Sequence, residues 1–214
     1  MKMLLVLPAN RSYVIQPNLG LGYIASAVRK YGHEPAILDC IKDKVDFKGF
    51  ASIIQKSDFG VIGFHMFSQD YGIIKELSRI VKGIKPSIYT IVGGPHPTGD
   101  SDSITRDFPD VDFIFSGEGE RGMPLLLDLL SERCTDDKEL SKIEGLCWRG
   151  KTQDRASSAV ISDLDSLPLP AWDLMKPDTY PQAPHGAFFK QFPAAPIIIG
   201  RGCPFECTFC AGAR

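Results

Sequence analysis

The sequence has no apolar run long enough to cross a bilayer. Met3-Leu4-Leu5-Val6-Leu7 and Ile197-Ile198-Ile199 fall far short of the roughly 20 residues a membrane helix needs, and the first is also too short for the core of a secretory signal. No membrane insertion is expected, and the expected location is cytoplasmic. Charge of one sign is missing too: 24 Lys and Arg stand against 26 Asp and Glu, a net of -2, with no long block of like charge. This leaves no electrostatic footprint for nucleic acid or an anionic membrane. Cysteine is sparse, six in 214 residues, which argues against a disulphide scaffold and suits a reducing compartment. Cys40, Cys134 and Cys147 are scattered and read as small core or surface residues. What is present, 43% hydrophobic content over 214 residues, supports one full core and an appendage.

The other three cysteines are clustered. Cys203, Cys207 and Cys210 stand as Cys-x-x-x-Cys-x-x-Cys within Arg-Gly-Cys-Pro-Phe-Glu-Cys-Thr-Phe-Cys. Thiolates are soft ligands that select iron-sulphur clusters or zinc, and a four-iron cube held by three cysteines keeps one iron open to another ligand. A zinc site completed by a fourth ligand such as His185, or plain buried thiols, would use the same residues.

From residue 3 to about 130, short apolar runs alternate with longer amphipathic segments, the pattern of parallel strands joined by crossover helices. Strands are predicted at Met3 to Leu7, Glu34 to Leu38, Phe59 to Phe64, Ser87 to Val92 and Asp112 to Phe115, giving an α/β fold with a five-stranded, doubly wound parallel sheet. Leu21, Ile24, Ala25 and Val28 recur at helical spacing, with Gly32 as a left-handed stop. Ile73, Ile74, Leu77, Ile80 and Val81 repeat the pattern, as do Met123, Leu126, Leu127 and Leu130. Phe47 to Lys56 predicts another helix and Thr98 to Phe108 a short one. After Ser131 the composition turns charged and a boundary is expected. Residues 1–132 then form the first domain. Residues 133–195 form a linker, with a small hairpin between Ile143 to Trp148 and Ala159 to Ile161 and a proline-rich stretch from Leu167. Residues 196–214 begin a second unit with a buried strand at Pro196 to Ile199.

In an open parallel sheet, ligands sit beyond the carboxyl ends of the strands. The candidate loops are therefore Pro8 to Gly20, His65 to Gln69, Gly93 to Thr98 and Ser116 to Glu120. Gly93-Gly94 ends a strand directly, where paired glycines let a ligand approach the backbone, although a tight turn needs them equally. Gly-x-Gly-x-x-Gly does not open the first helix, which disfavours a dinucleotide in that loop. His65 and His96 face the presumed crevice as cofactor contacts or hydrogen-bonded turn residues. His33 reads as a surface residue at a helix end, Glu120 as a complement to a helix dipole, and Trp148 and Trp172 as packing residues.

Several segments, in this order, resemble the cobalamin-dependent radical S-adenosylmethionine (radical SAM) family: Asn18-Leu19-Gly20-Leu21-Gly22-Tyr23-Ile24-Ala25, Tyr31-Gly32-His33-Glu34, Val92-Gly93-Gly94-Pro95-His96-Pro97-Thr98, Gly117-Glu118-Gly119-Glu120, Leu167-Pro168-Leu169-Pro170-Ala171-Trp172, and the cysteine motif with Phe209 before its last cysteine. The resemblance covers nearly the whole chain. It implies a Rossmann-like or flavodoxin-like cobalamin-binding domain, a linker, and the first strand and cluster loop of a βα barrel. It implies that Cys203, Cys207 and Cys210 ligate a 4Fe-4S cluster. The open iron of that cluster would bind the amino and carboxylate groups of S-adenosylmethionine, and the reduced cluster would cleave the sulphonium to a 5′-deoxyadenosyl radical. Cobalamin would lie over the strand ends with its nucleotide tail in the crevice, Ser68, Gly93, Gly94 and Glu118 being the transferable contacts. No residue of the chain is assigned a catalytic role. The implied chemistry is methyl transfer or a related radical reaction on a small molecule, with an electron donor such as flavodoxin or ferredoxin.

The chain departs from the pattern in one loop. Asp-x-His-x-x-Gly, whose histidine ligates cobalt from below, is absent, and Pro8-Ala9-Asn10-Arg11-Ser12-Tyr13 stands in its place. Three readings stay open: cobalamin held without that ligand, a radical SAM protein with a B12-free first domain, and a non-catalytic module for cobalamin or another small ligand. Methylthiotransferases place a similar domain before this motif but use three further cysteines there, whereas only Cys40 lies in the first 130 residues. The chain stops at Arg214, four residues after Cys210, while the resemblance implies a further half-barrel of about 200 residues. By itself the chain is expected to be an inactive amino-terminal portion.

Overall fold

Met3 to Leu7 are all buried, none above 8% exposed, as a strand covered on both faces requires. In the computed structural model, which describes residues 1–10, 15–149, 151, 159–182, 191–203, 205, 207 and 208, they lie in β1 (Lys2–Leu7). This strand is flanked in parallel by β2 (Glu34–Asp39) and β3 (Val61–His65). β4 (Tyr89–Gly93) and β5 (Phe113–Phe115) continue the parallel sheet. With β6 (Leu146–Trp148) the order is β2-β1-β3-β4-β5-β6, the doubly wound arrangement in which the winding reverses between β1 and β3.

The sixth strand corrects the expected five. β6 (Leu146–Trp148) pairs antiparallel with β5, Phe113 opposite Trp148 and Phe115 opposite Leu146. It thereby covers an edge that would otherwise present unpaired backbone groups. Among the described residues the two arms of the expected hairpin do not pair: Leu146–Trp148 is taken by β5, with Trp148 also bridging to Lys151, and Ala159 bridges to Gly117.

The helices take the two faces in turn. α1 (Leu19–Lys30) starts where Asn18 Oδ1 accepts the Leu21 N–H at 3.0 Å, a side-chain cap. It packs Leu21, Ala25 and Val28 on one face of the sheet, beside Met123, Leu126, Leu127 and Leu130 of α6 (Gly122–Ser131). Met3, Leu5, Val61, Ile91, Phe113 and Phe115 are the strand side of that core. The opposite face carries Leu4, Val6, Ile62, Phe64, Val92 and Ile114. They pack against α2 (Phe47–Lys56), α3 (Tyr71–Ile84) and, beyond the short α4 (Pro95–Gly99), α5 (Ser101–Asp107).

Past Ser131 the chain adds α7 (Asp137–Leu140), whose Asp137 accepts the Trp148 indole N–H at 2.9 Å. The proline-rich segment folds back on the sheet. α8 (Trp172–Met175) sits on α1, with the Ala171 N–H donating to the Gly22 carbonyl at 3.0 Å and Arg29 forking onto Asp173. Tyr180 donates its hydroxyl to Asp39 at 2.7 Å. Pro196 to Ile199 is not the expected buried strand: Ile197 and Ile199 are 77% and 97% exposed. No strand among the described residues pairs with it. No helix among the described residues is long and apolar enough to cross a membrane.

Candidate functional site

Successive residues of a strand point to opposite faces. Near the carboxyl ends of β3 and β4, Phe64 and Val92 fill the face under α3 and α5, while Gly63 and Gly93 fall on the face under α1 and α6. Both glycines line a cavity of about 530 Å³ between sheet and helices, within the roughly 300–1,000 Å³ of small-molecule sites, although the space a Gly63 Cβ would take is filled by the side chains of Met3 and Leu5. Leu5, Gly63 and Ile91 lie on its sheet side; Tyr23 and Ile24 of α1 and Met123 of α6 contribute its helical walls.

The two glycines at the end of β4 differ. A Cβ on Gly93 would meet only Phe115 Cβ, at 3.7 Å, so the position is open space toward the cavity. Gly94 has φ +120°, and a Cβ there would lie 2.9 Å from the Met66 carbonyl oxygen, so the turn itself demands glycine. Both readings of the pair therefore hold, one for each residue. Gly93, Gly94 and Glu118 line the cavity together with His65. Ser68, in the 3₁₀ turn Ser68–Asp70, is exposed, and its hydroxyl is engaged with His96 Nδ1 at 2.9 Å. The cavity wall does not include Ser68 or His96.

His65 is the histidine of the wall. Burial pushes it down to about 4, the charge of Asp70 opposing that shift, so it is neutral at physiological pH. Its Nδ1 is buried and finds no hydrogen-bond partner among the described residues. His33 is not the surface residue expected. At 7% exposure it sits under the amino terminus, Nδ1 3.3 Å from the Met1 amine and Nε2 3.3 Å from Asp128 of α6.

Glu118 and Glu120 meet a cation that the sequence pattern did not single out. Arg201 Nη1 donates to Glu118 at 3.1 Å and Nη2 to Glu120 at 2.6 Å, and the guanidinium lies 5.0 Å from the centre of the Tyr23 ring. Glu120, 7% exposed, is thus an ion-pair partner, whereas the helix dipole had been its expected role. The other Glu118 oxygen accepts the Ile161 N–H. The signal was present in the sequence, since Arg201 stands two residues before Cys203, but nothing local says which carboxylates it meets. Ile198, Gly200, Arg201 and Gly202 all line the cavity, so the arm carrying the cysteines runs over its mouth.

Cys203 and Cys207 are exposed; Cys210, Phe209 and His185 lie outside the described residues. Among the described residues no group of three or more His, Cys, Asp or Glu is arranged to hold a metal ion. Cys40, buried behind β2, has its thiol pushed up to about 12, by desolvation first and then by Asp39 and Asp43. It is an inert core residue, and Cys147 is likewise buried in β6.

Comparison with known proteins agrees with this geometry. A family model described as B12 binding domain matches residues 7–127. The chain is 32% identical to an uncharacterized methyltransferase of Pyrococcus horikoshii over 221 aligned positions, covering 100% of this chain and 46% of that protein. It is 26% identical to cytidylyl-2-hydroxyethylphosphonate methyltransferase of Streptomyces wedmorensis, covering 90% and 43%. It therefore spans less than half the length of these relatives. In fold it is similar to the cobalamin-dependent S-adenosylmethionine radical enzyme OxsB, with aqua-cobalamin and S-adenosylmethionine bound (TM-score 0.64, 18% identity, 81% of this chain and 24% of that one). It is also similar to the radical S-adenosylmethionine methyltransferase TsrM of Kitasatospora setae, with cobalamin and a 4Fe-4S cluster bound (TM-score 0.60, 18% identity, 69% and 28%). With more than half its length matched, and with an apolar cavity at the carboxyl ends of its parallel strands, the chain belongs to the B12-binding-domain family.

Proposed function

We propose that this chain is the cofactor-holding part of a cobalamin-dependent radical SAM enzyme. The observation that carries the reading is the position of the cavity: it opens at the strand ends, and the segment leading into Cys203 lies across its mouth. An apolar slot with Gly63 and Gly93 on its sheet side fits a flat heteroaromatic ring such as the nucleotide tail of cobalamin. Gly93, Gly94 and Glu118 are the contacts we assign, with Ser68, exposed beside the same strand ends, at the ligand's outer edge. Neutral His65 adds a polar atom to the wall without the cost of a buried charge.

Cys203, Cys207 and Cys210 are assigned to a 4Fe-4S cluster. Three soft thiolates suit such a cluster, and exposure of the first two leaves them free to take one up. When bound, cluster and cobalamin supply the electron transfer and methyl-group chemistry. The protein's share is to hold them, keep water from the apolar slot and bring the two together. On this reading residues 1–132 are the cobalamin domain, 133–195 the connection and 196–214 the start of the radical SAM core. The reaction is methyl transfer or a related radical step on a small molecule, served by an electron donor such as flavodoxin or ferredoxin. Free exposed thiols suit the reducing cytoplasm.

The test is anaerobic reconstitution of the chain with iron and sulphide, followed by titration with hydroxocobalamin read by absorbance. The expected result is saturable binding near one cobalamin per chain and about four irons per chain, with iron lost when all three cysteines are replaced by alanine. Zinc in place of iron and sulphide would sink the cluster. Absence of saturable corrinoid binding would overturn the cobalamin assignment and favour a first domain free of B12.

A further inference from the structure

The arm that carries the cysteines has little to hold it. Ile197, Ile199 and Phe205 are 77%, 97% and 69% exposed, and Cys203 and Cys207 are exposed. No strand among the described residues pairs with it. Arg201 is the contrast. Its side chain is 19% exposed, and its carboxylate partners Glu118 and Glu120 are 22% and 7% exposed. A desolvated guanidinium fork on two carboxylates is a different object from a surface ion pair, which contributes little.

The carboxylates are themselves tied to the cavity. The Thr98 hydroxyl donates to the Gly94 carbonyl at 2.8 Å and accepts the Gly117 N–H at 3.0 Å. Gly117 has φ +86° and packs on the Ala159 backbone, 2.4 Å from where a Cβ would stand, so the loop has no room to slide. A chain of contacts therefore runs from the rim glycine through Thr98, Gly117 and Glu118 to Arg201, two residues before Cys203.

We propose that Arg201 is a positioning residue: its fork on Glu118 and Glu120, seated on Tyr23, sets the three-cysteine arm against the mouth of the cavity. This rests on the function proposed above for its meaning, since it fixes where the cluster stands relative to the corrinoid, but the geometry is testable without either cofactor. Arginine is required because its planar fork reaches both carboxylates at once, which a lysine ammonium, a point charge with no fixed plane, does not reproduce.

The experiment measures a distance distribution between two nitroxide labels in the 214-residue chain, one on Cys203 and one on Gln55→Cys in α2. Cys134, Cys207 and Cys210 are replaced by serine, and Cys40 and Cys147 are left because they are buried. The parent is expected to give a narrow distribution. Arg201→Ala and the pair Glu118→Gln with Glu120→Gln should each broaden it at least about twofold, and Arg201→Lys by an intermediate amount. Circular dichroism checks that each variant folds, and the milder Arg201→Lys and glutamine variants keep the test open if Arg201→Ala does not. Hydroxocobalamin titration of the same variants, with their cysteines restored, separates this inference from the functional reading. Broadening in a chain that binds no cobalamin supports the positioning role and counts against the corrinoid. Cobalamin binding with an unchanged width in every variant overturns the positioning role.

Discussion

The two faces of one sheet were built to opposite ends by neighbouring residues. Ile62 and Phe64 of β3 and Val92 of β4 close the face under α2, α3 and α5; Gly93, one position on from Val92, leaves the face under α1 and α6 open into the cavity at the strand ends. A binding site here is made by omission. Both faces are packed along most of the sheet, and the alternation of a strand lets one face stay closed while the other opens at the carboxyl end of β4.

The comparison can be broken from the packed side first, where the effect is largest. Ile62, fully buried, changed to Ala should cost about 2–5 kcal/mol in urea unfolding, without changing the shape of the open face. From the other side, Gly93→Leu should fill the cavity. A loss of cobalamin affinity of about 100-fold, roughly 2.7 kcal/mol, is expected by absorbance titration, with a melting temperature near that of the parent because the Cβ meets only Phe115 at 3.7 Å. A large drop in melting temperature would show that this face is as tightly packed as its opposite.

The open face also holds a buried histidine. His65 is held near 4 in the folded chain against an ordinary 6.5, so between those values the unfolded chain binds more protons. Stability should fall as pH drops through that window, by up to about 1.4 kcal/mol per pH unit, and be unaffected by this group above it. His65→Leu should flatten that part of the pH profile in chemical unfolding. The smallest effect compares two helix caps. Asn18→Ala on α1 and Asp46→Ala on α2, whose side chains cap Leu21 and Gly49 at 3.0 and 2.8 Å, should each cost about 1 kcal/mol. Only the first should also weaken ligand binding, since only α1 walls the cavity.

The positions of the first five strands were legible within two residues because buried strands are short apolar runs. α1, α3 and α6 were legible from their helical repeats. The strand-end loops were countable in the sequence, and of the four contacts that the family resemblance implied there, Gly93, Gly94 and Glu118 line the cavity and Ser68 does not. Residues 146–148 were misread as half of a local hairpin because a three-residue apolar run carries no information about its partner. His33 was placed at the surface for the same reason: a polar residue after a helix looks alike whether it meets solvent or, as here, the amino terminus and Asp128.

The sequence by itself determined the order of strands and helices, the loops that face the site, the glycine pair that ends β4 and the spacing of the three thiols. Each of these is written in a local period or a short motif. Only the tertiary structure decided that the proline-rich segment docks on α1, that β6 closes the sheet edge, and that Arg201 finds Glu118 and Glu120 across 83 and 81 residues of chain. Such pairings depend on where the folded backbone returns, and an arginine destined for a buried fork carries the same local signature as one destined for water.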